Sequence, residues 1–128
     1  MLLAFLAGLI MATGSSHILT VPAEMMVVPI DPKEVWIDKL IACESGVNEK
    51  IKVLDTNGYY SHGLVQFQMK TWLSFGKKFG TTKKNIYDGE LQKKVVRAML
   101  DDGGWKHWYQ CSKIIGDAYP ADTLSPFQ

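Results

Sequence analysis

Glu44 is the residue in this chain best placed to do chemistry. It lies in Cys43-Glu44-Ser45-Gly46, at the end of a predicted helix that Ser45-Gly46 should stop, because glycine accepts the left-handed conformation that closes many helices. The backbone dipole disfavours negative charge at that end. A glutamate there is expected to be held protonated, or to be kept for a purpose. A carboxylic acid whose pKa is raised by apolar surroundings can protonate a departing oxygen at neutral pH, which is the step that opens a glycosidic bond. Ile41 and Ala42 supply apolar neighbours, and Cys43 can pin the backbone.

Other reactive side chains are sparse. Asp55 is the nearest second carboxylate, and its position before Thr56-Asn57-Gly58 predicts a turn-capping aspartate. Cys43, His62, His107 and Cys111 could be imagined as metal ligands. His107 and Cys111 sit four apart on one predicted helix, but Cys43 and His62 have no zinc-finger spacing. No metal and no other cofactor is expected. A Cys43 nucleophile with a histidine base would be incompatible with a disulfide. Two cysteines far apart suggest one such bond, provided the chain leaves the cytosol.

The elements that must position these groups are mostly helical. Asp31-Pro32-Lys33-Glu34 has an N-cap residue, proline at N1 and glutamate at N3. Trp36, Leu40 and Cys43 then form an apolar stripe. Asn57-Gly58 predicts a short hairpin or an irregular loop within 47–68. A helix over about 69–79 would use Trp72, Phe75 and Phe79. Another would start near Asp88 and bury Leu91, Val95, Ala98 and Met99, ending at Gly103-Gly104. A last helix would carry Trp105, Trp108, Cys111 and Ile115 on one side. The predicted class is α+β, mostly α-helical, with a short β-hairpin or loop element and one disulfide.

The 128 residues suit a single domain. With 47% hydrophobic and 21% charged residues, a packed core is expected. A net charge of +1 gives no basic face, so nucleic acid is not an expected partner. Leu2 to Ala12 is an apolar run of 11 residues. As a helix it would span about 16 Å, short of a bilayer of roughly 30 Å. Residues 1–23 therefore read as a signal peptide, with a membrane segment extended through Ile18 and Leu19 as the alternative. Residues 24–30 read as a linker, 31–117 as the catalytic domain and 118–128 as a flexible tail. An exported monomer is expected, either secreted, periplasmic, wall-associated or membrane-anchored through the N-terminal apolar segment.

Five blocks carry a resemblance: Cys43-Glu44-Ser45-Gly46, Asn57-Gly58-Tyr59-Tyr60, Gly63-Leu64-Val65-Gln66-Phe67, Thr71-Trp72, and Gly104-Trp105 with Trp108 and Cys111. In this order they resemble the catalytic domain of resuscitation-promoting factors, and the first and third also look like soluble lytic transglycosylases. The resemblance implies a lysozyme-like fold and cleavage of peptidoglycan glycan strands at the MurNAc-GlcNAc β-1,4 bond. It implies Glu44 as the single catalytic acid and base, and a disulfide between Cys43 and Cys111. It also implies a sugar groove using Asn57, Tyr59, Tyr60, Gln66, Thr71 and Trp72. The alternative is a wall-binding module of the same fold without activity. The chain departs from the family pattern at Val47, which replaces a second glycine. It also departs in a slightly long loop over 47–55, and in a Gly63-Leu64-Val65-Gln66 block nearer the transglycosylase form.

Overall fold

The computed structural model of the chain describes residues 13–16 and 27–120. Most of the expected leader, the first part of the linker and the last eight residues of the expected tail lie outside the described residues. No helix among the described residues is long and apolar enough to cross a membrane.

Helix α1 (Pro32–Ser45) begins as its sequence signals. The Asp31 carboxylate accepts from the Lys33 amide at 2.9 Å, and Pro32 occupies the first turn, where its missing N–H leaves nothing unpaired. Gly46 closes the helix at φ 61°, its N–H bonded to the Ala42 carbonyl. Val47 follows at φ 64°, a left-handed conformation that disfavours a β-branched residue by about 1–2 kcal/mol. A glycine there would relieve it. Trp36, Ile37, Leu40 and Ile41 point into the core.

Three short strands follow: β1 (Lys52–Leu54), β2 (Tyr60–His62) and β3 (Phe67–Gln68). They form an antiparallel sheet in chain order, with Val53 opposite Ser61 and Ser61 opposite Gln68. The first hairpin closes through Asp55-Thr56-Asn57-Gly58. Gly58 is left-handed at φ 81°, and the Asp55 amide bonds the Tyr59 carbonyl at 2.8 Å. The hairpin is therefore the form the Asn-Gly pair takes.

Helix α2 (Met69–Phe75) is shorter than expected, and a separate 3-10 turn covers Lys77–Phe79. The chain turns because Gly76 is buried against Thr81, where a Cβ would come within 2.1 Å of the threonine methyl. The break leaves Phe75 exposed instead of in the apolar stripe. Helix α3 (Gly89–Asp101) is capped by Asp88, whose carboxylate accepts from the Leu91 amide, and by Glu49, whose carboxylate accepts from the Gly89 amide at 2.7 Å. Both carboxylates sit at the positive end of the helix. Val95 and Met99 are buried as expected, joined by Val96 and Leu100, while Leu91 and Ala98 are half-buried.

The expected last helix is split into a 3-10 turn over Gly104–Trp108 and helix α4 (Tyr109–Ile115). Trp108 is buried, but Trp105 is exposed and lies against Tyr109 instead of in the core. Tyr119, placed by sequence in the tail, is half-buried: its ring meets Trp36 edge-on at 5.4 Å.

A disulfide joins Cys43 of α1 to Cys111 of α4, with Cα atoms 5.8 Å apart. It removes both sulfurs from any metal site. It closes a loop of 68 residues, which in the chain-entropy picture stabilises the fold by about 4 kcal/mol. Replacing both cysteines by alanine should lower the unfolding free energy by about that amount. Denaturant titration checks this, and an unchanged midpoint would contradict it.

Candidate active site

The last turn of α1, the sheet and the turn before α4 enclose an open groove of about 530 Å³. Glu44 lies in it, half-buried. Withdrawal from water pushes the Glu44 carboxyl up to about 7, and the negative charge of Asp55 adds to the rise. The negative end of α1 acts in the same sense. A carboxyl with this pKa holds its proton over much of the neutral range, yet can release it.

The sheet contributes one row of residues to the groove wall. Val53, Ser61 and Gln68 are register partners across β1, β2 and β3, and all three line the groove. Asp55, just beyond β1, lies with them. Its carboxylate accepts from the Ser61 hydroxyl and, at 2.8 Å, from the Gln68 amide. Asp55 is thus not the side-chain turn cap expected from Asp55-Thr56-Asn57-Gly58. That work is done by Asn57, whose side-chain oxygen accepts from the Tyr59 amide at 3.0 Å.

The residues expected in the groove separate into three groups. Glu44, Gln66 and Thr71 line it. Asn57 stands behind it, exchanging amide hydrogen bonds with Gln68 at 3.3 Å. Tyr59 and Tyr60 are exposed on the hairpin outside the lining, with the Lys52 ammonium 4.1 Å from the centre of the Tyr60 ring. Trp72 is a correction. It is wholly buried, packs against Phe67 at 5.3 Å and donates its indole N–H to the Thr82 carbonyl. An apolar ring on the inner face of α2 gains more by filling the core than by facing water.

The structure adds groove residues that sequence reasoning passed over: Ser61, Gln68, Lys106, His107 and Tyr109. Ser61 and Gln68 could be found only from the strand register. The other three belong to the turn and helix that carry Trp108 and Cys111, whose apolar pattern drew attention to the opposite face.

The loop joining β2 to β3 is held from below. Gln92 of α3 is fully buried, accepts from the Val65 amide at 3.1 Å and donates to the His62 and Ile86 carbonyls. The Trp108 indole donates to the Val65 carbonyl at 2.7 Å. Gly63 must be glycine: its φ is 75°, and a Cβ would lie 2.3 Å from the Gln92 amide nitrogen. Gln66 is itself left-handed at φ 56°, with its side-chain amide bonded to the Gly63 carbonyl. Such a conformation persists only where its surroundings hold it.

A second hollow of about 690 Å³ lies beside Trp36, Trp105 and Tyr119. Its carboxylates, Asp101 and Asp117, are paired with Lys33 and Lys39. Glu44, whose carboxyl is raised, lies in the first groove and not in this one.

Residues 31–111 match the transglycosylase-like domain family. Over 85 residues the chain is 36% identical to resuscitation-promoting factor Rpf1 of Corynebacterium glutamicum, a match covering 66% of this chain and 42% of that protein. No solved structure matches the chain.

Two measurements test the site's construction. Gln92→Leu leaves one buried N–H and two buried carbonyls without their partner, and should destabilise the fold by about 3 kcal/mol in denaturant titration. Glu44→Gln probes the raised carboxyl. A carboxyl that binds its proton more tightly when folded stabilises the protein fully below the unfolded pKa of about 4.5, and that contribution is lost as pH rises through about 7. Relative to the parent, the variant should therefore gain melting temperature steadily between those two pH values. A gain independent of pH would show that Glu44 is not shifted.

Proposed function

This chain belongs to the transglycosylase-like domain family, and from that premise we propose that it cleaves peptidoglycan glycan strands at the MurNAc-GlcNAc β-1,4 bond, with Glu44 as acid and then base. The observation that carries this reading is a carboxyl raised to about 7 by burial while it still faces an open groove. Burial without a groove would make Glu44 a structural oddity. A groove with an ordinary carboxylate would offer no proton at neutral pH.

The chemistry runs in two steps. Glu44 gives its proton to the glycosidic oxygen, the bond from that oxygen to the anomeric carbon breaks, and the electron pair leaves with the departing sugar. The muramoyl 6-hydroxyl then attacks the anomeric carbon, and its proton passes to the Glu44 carboxylate, restoring the acid and closing an anhydro ring. An intramolecular hydroxyl has a high effective concentration, so no nucleophile from the protein is required. Gln66 and Thr71, with side chains on the groove surface, would hydrogen-bond sugar hydroxyls. Asn57 would act at one remove, through Gln68. Tyr59 and Tyr60 would meet a strand only where it runs out over the hairpin.

The disulfide and the likeness to a resuscitation-promoting factor support action outside the cytosol, where such a bond persists. The substrate is then the wall polymer itself, met by a single copy of the chain.

Digestion of purified sacculi tests the reading. Glu44→Gln should lower the rate by at least about 100-fold, and the parent's rate should fall as pH rises through about 7. Mass spectrometry should find anhydro-muramoyl ends. A Glu44→Gln protein that clears sacculi at the parental rate would remove Glu44 from the mechanism. Reducing ends alone would replace ring closure by hydrolysis.

A further inference from the structure

Asp55 has no part in the two steps above, yet the fold spends three strands on placing it. It follows the last residue of β1, and its carboxylate accepts from Ser61 on β2 and Gln68 on β3. Gln68 is itself oriented by its paired amide bonds with Asn57. A surface aspartate at a hairpin corner would normally bond the backbone of its own turn. Here the backbone of the turn is served by Asn57, which leaves the Asp55 carboxylate turned to the side chains of the groove wall. Asp55 and Glu44 line the same cavity.

We propose that Asp55 is a second functional carboxylate of the groove, an anion fixed by Ser61 and Gln68 whose charge stabilises the positively charged sugar formed as Glu44 releases its proton. The inference rests on the cleavage reading of Glu44. The two carboxylates sit in different surroundings. Two side-chain donors are aimed at Asp55, whereas burial at the end of α1 favours the neutral form of Glu44. When the glycosidic bond opens, positive charge develops on the anomeric carbon and the ring oxygen. A preorganised anion in a partly desolvated groove lowers the energy of that charge without reorganising. No bond to Asp55 forms, so the ring closure by the 6-hydroxyl stands. The same charge raises the Glu44 carboxyl, which keeps the acid loaded until the substrate takes its proton. The other titratable groups on the groove surface are Lys106 and His107, on the turn before α4, and Tyr109, the first residue of α4.

Asp55→Asn removes the charge and keeps the shape. In sacculus digestion it should lower kcat by about 100-fold with little change in KM. The basic limb of its pH profile should also move to lower pH, since Glu44 loses a negative neighbour and keeps its burial. Ser61→Ala, which removes one donor and leaves the charge, should lower kcat less and leave the limb nearer its parental position. A wall residue with only a structural role would not move the limb. Parental kcat and an unmoved limb in Asp55→Asn, beside an inactive Glu44→Gln, would overturn the role of Asp55 alone. Should Asp55→Asn fail to fold, parental kcat in Ser61→Ala would overturn it equally. Activity in Glu44→Gln would instead overturn the reading beneath it.

Discussion

The structure depends on keeping one carboxyl dry on one side and open on the other. A glutamate at the C-terminal end of a helix faces the negative end of the backbone dipole, and burial adds to the cost of its charge. An unsupported helix end would fray and let water reach it. Here the end cannot fray. Cys43, next to Glu44, is bonded to Cys111 of α4, and Gly46 closes the helix one residue past Ser45. The Ser45 hydroxyl returns to the Ile41 carbonyl at 3.1 Å. The acid is therefore held by covalent and polar ties on the core side, and only the groove side is free.

The opposite wall follows from a different necessity. A strand as short as β1 or β3 contributes little apolar area, so the sheet relies on its backbone pairing, on α2 and on side-chain bonds from Asp55 and Gln92. Gln92 of α3 bonds the end of β2 at His62, the following loop at Val65 and the Ile86 carbonyl, and Trp108 holds the other side of Val65. Buried amides of this kind stabilise only when every bond is made. Their satisfaction fixes the loop at 63–66, and with it the left-handed Gln66 on the groove surface. A rigid wall with two side-chain donors aimed at Asp55 is what sets that carboxylate in the same groove as Glu44.

The departures from the family pattern touch the rim of this arrangement more than its centre. Val47 takes the left-handed conformation that the replaced glycine would adopt freely, so the backbone path is kept at some cost. The longer loop over 47–55 brings Glu49 to the start of α3 and ends at Asp55. In this chain the loop thus does two jobs, capping a helix and delivering a carboxylate to the groove.

Much of this was legible in the residues themselves, for local reasons. The start and stop of α1 follow from Asp31-Pro32 and Gly46, the hairpin from Asn57-Gly58, and the position of Glu44 in the last turn from counting between them. The pairing of Cys43 with Cys111 came by resemblance to a family, and the structure shows the bond. What the tertiary structure decided is which side of each element meets which neighbour. Trp72 stands in the groove by resemblance and is core in the fold, because it lies on the inner face of α2 against Phe67 while its neighbour Thr71 faces the groove. Asp55 looked like a turn cap and belongs to the groove, because strand register, invisible in a single sequence, sets Ser61 and Gln68 beside it. Gln92, one amide in a helix of apolar and charged residues, gave no signal at all, since its partners lie 27 and 30 residues away at Val65 and His62. Local chemistry wrote the elements and the acid, and long-range packing chose the acid's surroundings.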